Sequence, residues 1–287
     1  MPIGADLAVA IEALLAKDLQ ANGGPITTAL ERSGGFTNLH RSAMVRIRDG
    51  IQSCDSIDDF LSEWDDVPEI GRIAKLCIAH LILAAERQSV LGEMIQGGRP
   101  PVEALRSLKG SWLSVIADQA NPAERRRDVR AVFKGIGIIT FNYDRCIEQY
   151  LMARFVNTAG LGRSDAVNAL AEIPIHHAYG SLGDITNPHA TVEFGADDVF
   201  MSKAAGGIAT YTEDLETARV GQIRDLVASA EKLVFLGCAF HGQNLEVLFG
   251  DNPPHGGGRL GHRLWHESTS KGCCIERPPV ANAIDQA

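Results

Sequence analysis

The chain contains no CxxC pair. Its six cysteines, Cys54, Cys77, Cys146, Cys238, Cys273 and Cys274, are isolated or directly adjacent, which removes the usual basis for a zinc ribbon or a redox-active dithiol. Three of them sit inside apolar patterns, as reduced buried thiols do, and that usage fits a reducing cytoplasm. A secretory leader is also lacking: no basic stretch precedes an apolar core, and Asp6 and Glu12 fall where such a segment would be apolar. There is no long unbroken hydrophobic run. The most apolar segment, "IGRIAKLCIAHLILAAE", is interrupted by Arg72, Lys75 and His80 and so does not span a bilayer. Positive charge is scarce. With 36 acidic residues against 27 basic ones, the chain lacks the clustered Lys and Arg of a general nucleic-acid binder. Its one basic run, "ERRRDVR" at 124–130, is interrupted by Asp128 and reads as a solvated helix face. These absences predict a cytoplasmic protein with neither a membrane nor a nucleic acid as partner.

What is present falls into three textures. A length of 287 residues suits one large domain, or one domain carrying an insertion. "PIGADLAVAIEALLAKDL" places Ile3, Leu7, Ile11, Leu14 and Leu15 on one helical face, with "NGG" ending it. Residues 25–50 predict two short helices around "SGGF". "SIDDFLSEW" offers Ser56 as an N-cap with acidic residues in the first turn. A long apolar helix over 70–89, a loop at "QGGRPP" and a further helix over "VEALRSLKGSWLSVIADQ" complete a strand-free helical block at 51–130.

From Val132 the pattern alternates strand, loop and helix. "FKGIGIITF", "AEIPIHHAY" and "KLVFLG" read as strands, with helices over "RCIEQYLMARFV", "EDLETARVGQIRDLVASAE" and "CAFHGQNLEVLF". Short apolar strands separated by helices predict an α/β fold with a parallel sheet. After Phe249 the chain is rich in Gly, Pro and His without periodicity, so residues 251–287 are expected to be a poorly ordered tail. Its His255, His262, His266 and Cys273-Cys274 match no common zinc spacing, and no metal is expected.

The three strands end in "FNYD", "HHAYGSLGD" and "GCAFHGQN". In open parallel sheets, ligands bind beyond the carboxyl ends of the strands. Taken singly, each ending has a plain structural reading. Asn142 and Asp144 stand where helix caps stand, His176 and His177 read as core or edge histidines, and "GSLG" is a turn. Three polar endings on consecutive strands point instead to one site.

Together and in order, "ITFNYD", "HHAYGSLG" and "FLGCAFHGQN" resemble the three site motifs of SIR2-like (sirtuin-related) proteins, in particular the bacterial anti-phage group whose members often cleave NAD⁺. The resemblance spans about residues 1–250, most strongly 132–250, and "SIDDFL" shares that group's look. It implies a Rossmann-like (DHS-like) parallel sheet carrying the helical block 51–130 as an insertion, with NAD as substrate. Asn142 would lie by the nicotinamide ribose and help position the attacking water. Asp144 would bond the carboxamide, and Phe141 would line the same pocket. His177 would be the general base on the ribose hydroxyls, because imidazole titrates near neutral pH and a phenol does not. Tyr179, Gly180 and Ser181 would form the pocket wall. Gly237 and Cys238 would let backbone approach the adenosine side, with Asn244 nearby.

The implied activity is NAD⁺ hydrolysis releasing nicotinamide. The implied partners are NAD⁺ itself and either a second copy of the chain or an accessory defence protein. An inert module that senses NAD or ADP-ribose, or that assembles with other proteins, is the alternative from another class. Protein deacylation ranks lower, since Phe141 stands where deacylases keep a glutamine and their zinc ribbon is absent.

One element of the resemblance is missing. Such proteins open with a strand and a Gly-rich loop around the pyrophosphate, whereas this chain opens at "MPIGADLAVAIEALL". Neither "ERSGGFTN" nor "GGRPP" follows an apolar strand, so neither substitutes. The sheet is therefore expected to be incomplete at its N-terminal side, through a 5′-truncated gene or a degenerate copy. The tail after Gly250 suggests a disrupted 3′ end as well. Genomic sequence upstream of Met1 is expected to encode that strand and loop in frame; their absence there would leave degeneration or a different family.

Overall fold

The structure is a computed structural model that describes residues 4–21, 23–54, 57–92, 102–119, 133–187, 192–210, 217–238, 240, 242–250 and 273–276. Ser56, the basic run 124–130 and His255, His262 and His266 lie outside the described residues. The chain divides into two compact units, Met1–Leu215 and Glu216–Ala287, a boundary unlike the 1–250 domain plus tail expected from sequence. It is mixed α/β and mostly helical, with a small parallel two-stranded sheet. Among the described residues no helix is long and apolar enough to cross a membrane.

In the first unit the helices are α1 (Gly4–Ala21), α2 (Pro25–Arg32), α3 (Asn38–Gly50), α4 (Ile57–Glu63), α5 (Pro68–Gln88), α6 (Val102–Ser107) and α7 (Trp112–Gln119). Local chemistry sets several of their ends. Pro25 and Pro68 open α2 and α5, where a missing N–H costs nothing. The start of α2 is satisfied from another helix: Asp18 of α1, 1% exposed, accepts hydrogen bonds from the amides of Gly24, Ile26 and Thr27 and from the Thr27 hydroxyl. Thr37 caps α3 reciprocally with His40. The pattern over 102–119 predicts one helix, and two are found. Gly110, at φ +86°, turns the chain out of the helical path between them.

The apolar faces of α1–α5 meet in one core, built on Ile11, Leu15, Ile26, Leu30, Met44, Ile47, Ile73 and Cys77, while α6 and α7 pack elsewhere. Burial pushes the Cys77 thiol well above its ordinary range, so it behaves as a small apolar side chain.

The α/β part begins with β1 (Ile138–Thr140), followed by α8 (Cys146–Thr158), α9 (Arg163–Ala171), β2 (Ile175–His177) and the short α10 (Met201–Ala205). Strands β1 and β2 pair in parallel, with Ile138 opposite Ile175 and Thr140 opposite His177. Both strands are shorter than their apolar runs, and all their residues are only half-buried. Each has one partner strand among the described residues, so the sheet has no doubly flanked centre. A second core packs Tyr150, Leu151 and Phe155 of α8 against Phe133, Ala166 and Leu170.

The second unit holds α11 (Thr217–Ser229), β3 (Lys232–Phe235), α12 (Gly242–Phe249) and β4 (Cys273–Glu276). Here one expectation is corrected. The strand β3 does not join β1 and β2; it pairs antiparallel with β4 in a separate sheet. That partner strand comes from residues 273–276, the only described residues of the segment 251–287 expected to be poorly ordered. "CCIE" is a short run with two apolar-type cysteines and an isoleucine, too brief to stand out by periodicity amid Gly and Pro.

A buried ion pair links the helical block to the α/β part of the first unit. Arg145 and Glu86 of α5 are both fully buried. The guanidinium donates to Glu86 through Nη2 at 2.6 Å and Nε at 3.2 Å, and the Arg145 amide adds a third bond at 3.0 Å. Its remaining donors reach the carbonyls of Val192 and Glu193, while the Gly195 amide donates to Glu86 Oε2 at 2.9 Å. Breaking such a pair strands a buried charge, so Glu86→Ala is expected to destabilise the chain by about 3–5 kcal/mol in urea unfolding. Arg87→Ala next door removes a half-exposed guanidinium and should cost far less; equal losses would deny the pair its special place.

Candidate functional site

Because β1 and β2 run parallel and in register, their carboxyl ends emerge side by side. The Ala178 amide donates to the Thr140 carbonyl at 2.9 Å, and the Leu182 amide to the Tyr143 carbonyl at 3.3 Å, which holds the two following loops together. Two of the three expected strand endings are therefore joined. The third, with Gly237, Cys238 and Asn244, belongs to the other unit and the other sheet.

The centre of the joined pair is His177. Its Nδ1 lies 2.7 Å from the Asn142 carbonyl oxygen, and its Nε2 lies 2.7 Å from Glu148 Oε1. A carbonyl can only accept, so Nδ1 carries a hydrogen. Burial works against charge on this ring, but the Glu148 hydrogen bond and the negative field of Glu148 and Asp144 outweigh it, and the imidazole pKa is raised. His176, facing the other side of the strand, is shifted down by burial and by the neighbouring His177 charge. Both nitrogens of His177 are occupied. The general-base role expected for it therefore requires Nε2 to part from Glu148.

Asn142 is exposed at the tip, with its amide donating to Thr140 Oγ1 at 3.1 Å. Its side chain makes no hydrogen bond among the described residues. Asp144 is buried and accepts from the Cys146 amide at 3.1 Å, so one of its oxygens does cap the first turn of α8. A carboxylate has lone pairs for further donors beyond that one. Burial, and then the Asp144 charge, hold the Cys146 thiol far above its usual range and make it unreactive.

Phe141 and Tyr179 lean ring to ring at 5.9 Å across the two loops. Gly180 has its own structural reason. Its φ is +80°, and a Cβ there would stand 2.1 Å from the Gly207 carbonyl oxygen, against which Gly180 forms part of a bridge to Ile208. The Ser181 hydroxyl donates to the Gly183 carbonyl at 3.3 Å. In the second unit Gly237 (φ +63°) and Phe240 (φ +52°) both take left-handed backbone, and among the described residues nothing lies within 4 Å of a Cβ placed on Gly237. Cys238 and Asn244 are half-buried.

Glu148 was not foreseen as a site residue. Its only sequence signal is an acid in the first turn of a helix, a position that the helix dipole explains equally well. Arg145, next to Asp144 in "FNYDR", was likewise silent until its partner on α5 was placed. No protein-family model, curated protein or solved structure matches this chain.

The raised pKa of His177 has a definite sign in stability. A group whose folded pKa exceeds its unfolded value, about 6.5 for histidine, stabilises fully below that value. The contribution is lost as pH rises through the folded pKa. The unfolding midpoint of the wild-type chain, minus that of His177→Gln, is thus expected to shrink between mildly acidic and alkaline pH. A difference that grows with pH would contradict the charged ring.

Proposed function

We propose that this chain is an NAD⁺-cleaving protein of SIR2-like type on a Rossmann-like sheet, hydrolysing the N-glycosidic bond to nicotinamide, with anti-phage defence as its setting. The observation that carries the reading is the joining of Asn142 and His177 through a 2.7 Å hydrogen bond at the shared carboxyl end of two parallel strands. Water adds to the ribose anomeric carbon, the bond to the pyridinium nitrogen breaks, and the electron pair leaves with neutral nicotinamide. The water's second proton is released, giving ADP-ribose. Positive charge develops on the ribose in such a step. The buried Asp144 and the partly buried Glu148 carboxylate provide a negative field beside it. Asn142 offers the exposed amide that holds ribose and water, Asp144 the acceptor for the carboxamide, and the Phe141–Tyr179 pair an aromatic wall.

A second reading, an inert module that senses NAD or ADP-ribose, draws on one observation. His177 has both nitrogens engaged and Asp144 is used as a cap, so these groups bind without being poised to transfer a proton.

Nicotinamide released from NAD⁺ by the purified full chain is the measurement. Asn142→Ala and His177→Ala are each expected to lower it at least about 100-fold, the scale set by misplacing reacting groups. Undiminished release in both would sink the assignment. Binding of NAD or ADP-ribose without release in the wild type would replace the hydrolase by the sensor.

A further inference from the structure

The carboxylate of Glu148 is unusual in its surroundings. It is 13% exposed, its partner His177 is 9% exposed, and the pair is closed by the 2.7 Å Nε2–Oε1 contact. Its second oxygen, Oε2, is the one buried side-chain oxygen or nitrogen among the described residues with no hydrogen-bond partner. Desolvating a carboxylate and leaving half of it unsatisfied costs free energy, and more so when the group is charged. An exposed glutamate would serve the helix dipole at no such cost. The burial makes sense only through what Glu148 does to His177.

We infer that Glu148 is a positioning residue of the strand-tip site, holding the His177 ring doubly protonated so that it clamps the Asn142 turn rather than accepting a proton. The donor inventory follows from the partners. Nδ1–H must point at the Asn142 carbonyl, and a carboxylate oxygen, which can only accept, calls for a hydrogen on Nε2. The charged and titratable groups acting on the ring are Glu148 from α8 and Asp144 from the β1–α8 loop, with His176 beside it on its own strand but on the opposite face. Two are acidic, and the third is itself held toward neutrality. The ring thus ties the end of β2 to the backbone of Asn142 and to the first turn of α8, and fixes where the Asn142 side chain projects. The catalytic consequence rests on the hydrolase reading; the state of the ring does not.

The test is side-chain NMR of His177 in the full chain, with Glu148→Gln as the variant. In the wild type at pH 7 both ring nitrogens are expected to carry hydrogens; one unprotonated nitrogen there overturns the inference, whether or not any variant folds. In Glu148→Gln the amide oxygen can still accept from Nε2 but the charge is gone. The His177 midpoint is expected to fall and that of His176 to rise, changes that a merely structural glutamate would not produce. An unmoved His177 midpoint overturns the clamp. If the wild type releases nicotinamide, Glu148→Gln should lower its release about 10- to 100-fold, as a displaced reacting group does. Should the wild type release none, the hydrolase reading fails while the ring titration still decides the role of Glu148.

Discussion

The pairing of Glu86 with Arg145 is the constraint on which the first unit's arrangement depends. One partner comes from the last turn of the long apolar helix, the other from the loop that leaves the first parallel strand. Two charges are removed from water, which is unfavourable unless every donor and acceptor is answered. Here the answers come from three directions: the carboxylate, the Arg145 backbone, and the 192–195 segment. A hydrophobic pair of the same volume would pack there in several ways. The forked guanidinium and its three partner groups permit one, and that one sets where Asp144 and Asn142 lie just upstream.

The strand-tip site inherits this placement. Asp144 precedes the anchored arginine, and Glu148 follows it by less than one helical turn, so both carboxylates are carried to the same end of α8. His177 then enters from the neighbouring strand beside these two acids. The chemistry of the site is therefore a matter of proton inventory as much as of shape. Its polar groups are largely committed to one another, and the exposed Asn142 amide is left facing outward.

Much of this was legible in the chain itself. Apolar patterning placed α1, α5 and α8, and "NGG" and "SGGF" marked helix ends near α1 and α3, because those signals depend on neighbours within a turn or two. The strand endings were visible for the same reason: an apolar run that stops at Asn142 or precedes His177 is a local feature. The clustering of Phe141 with Tyr179, and of Asn142 with His177, needed only that two strands be parallel. Other features were hidden. Glu148 and Arg145 read as ordinary charges in a helical start, since their meaning lies in partners 29 and 59 residues away. A short strand at Cys273–Glu276 carries too few residues for an alternation to show.

By itself the sequence determined most of the longer helices, where their apolar faces lie and which polar groups stand at the strand ends. Each of these is fixed by interactions between residues close along the chain. Only the tertiary structure decided that β1 and β2 form one sheet and β3 another, and that Arg145 is buried against Glu86. It also decided that His177 has both nitrogens filled. Strand partnership and buried charge pairing are long-range choices, settled by which surfaces exclude water together, and no local pattern encodes that competition.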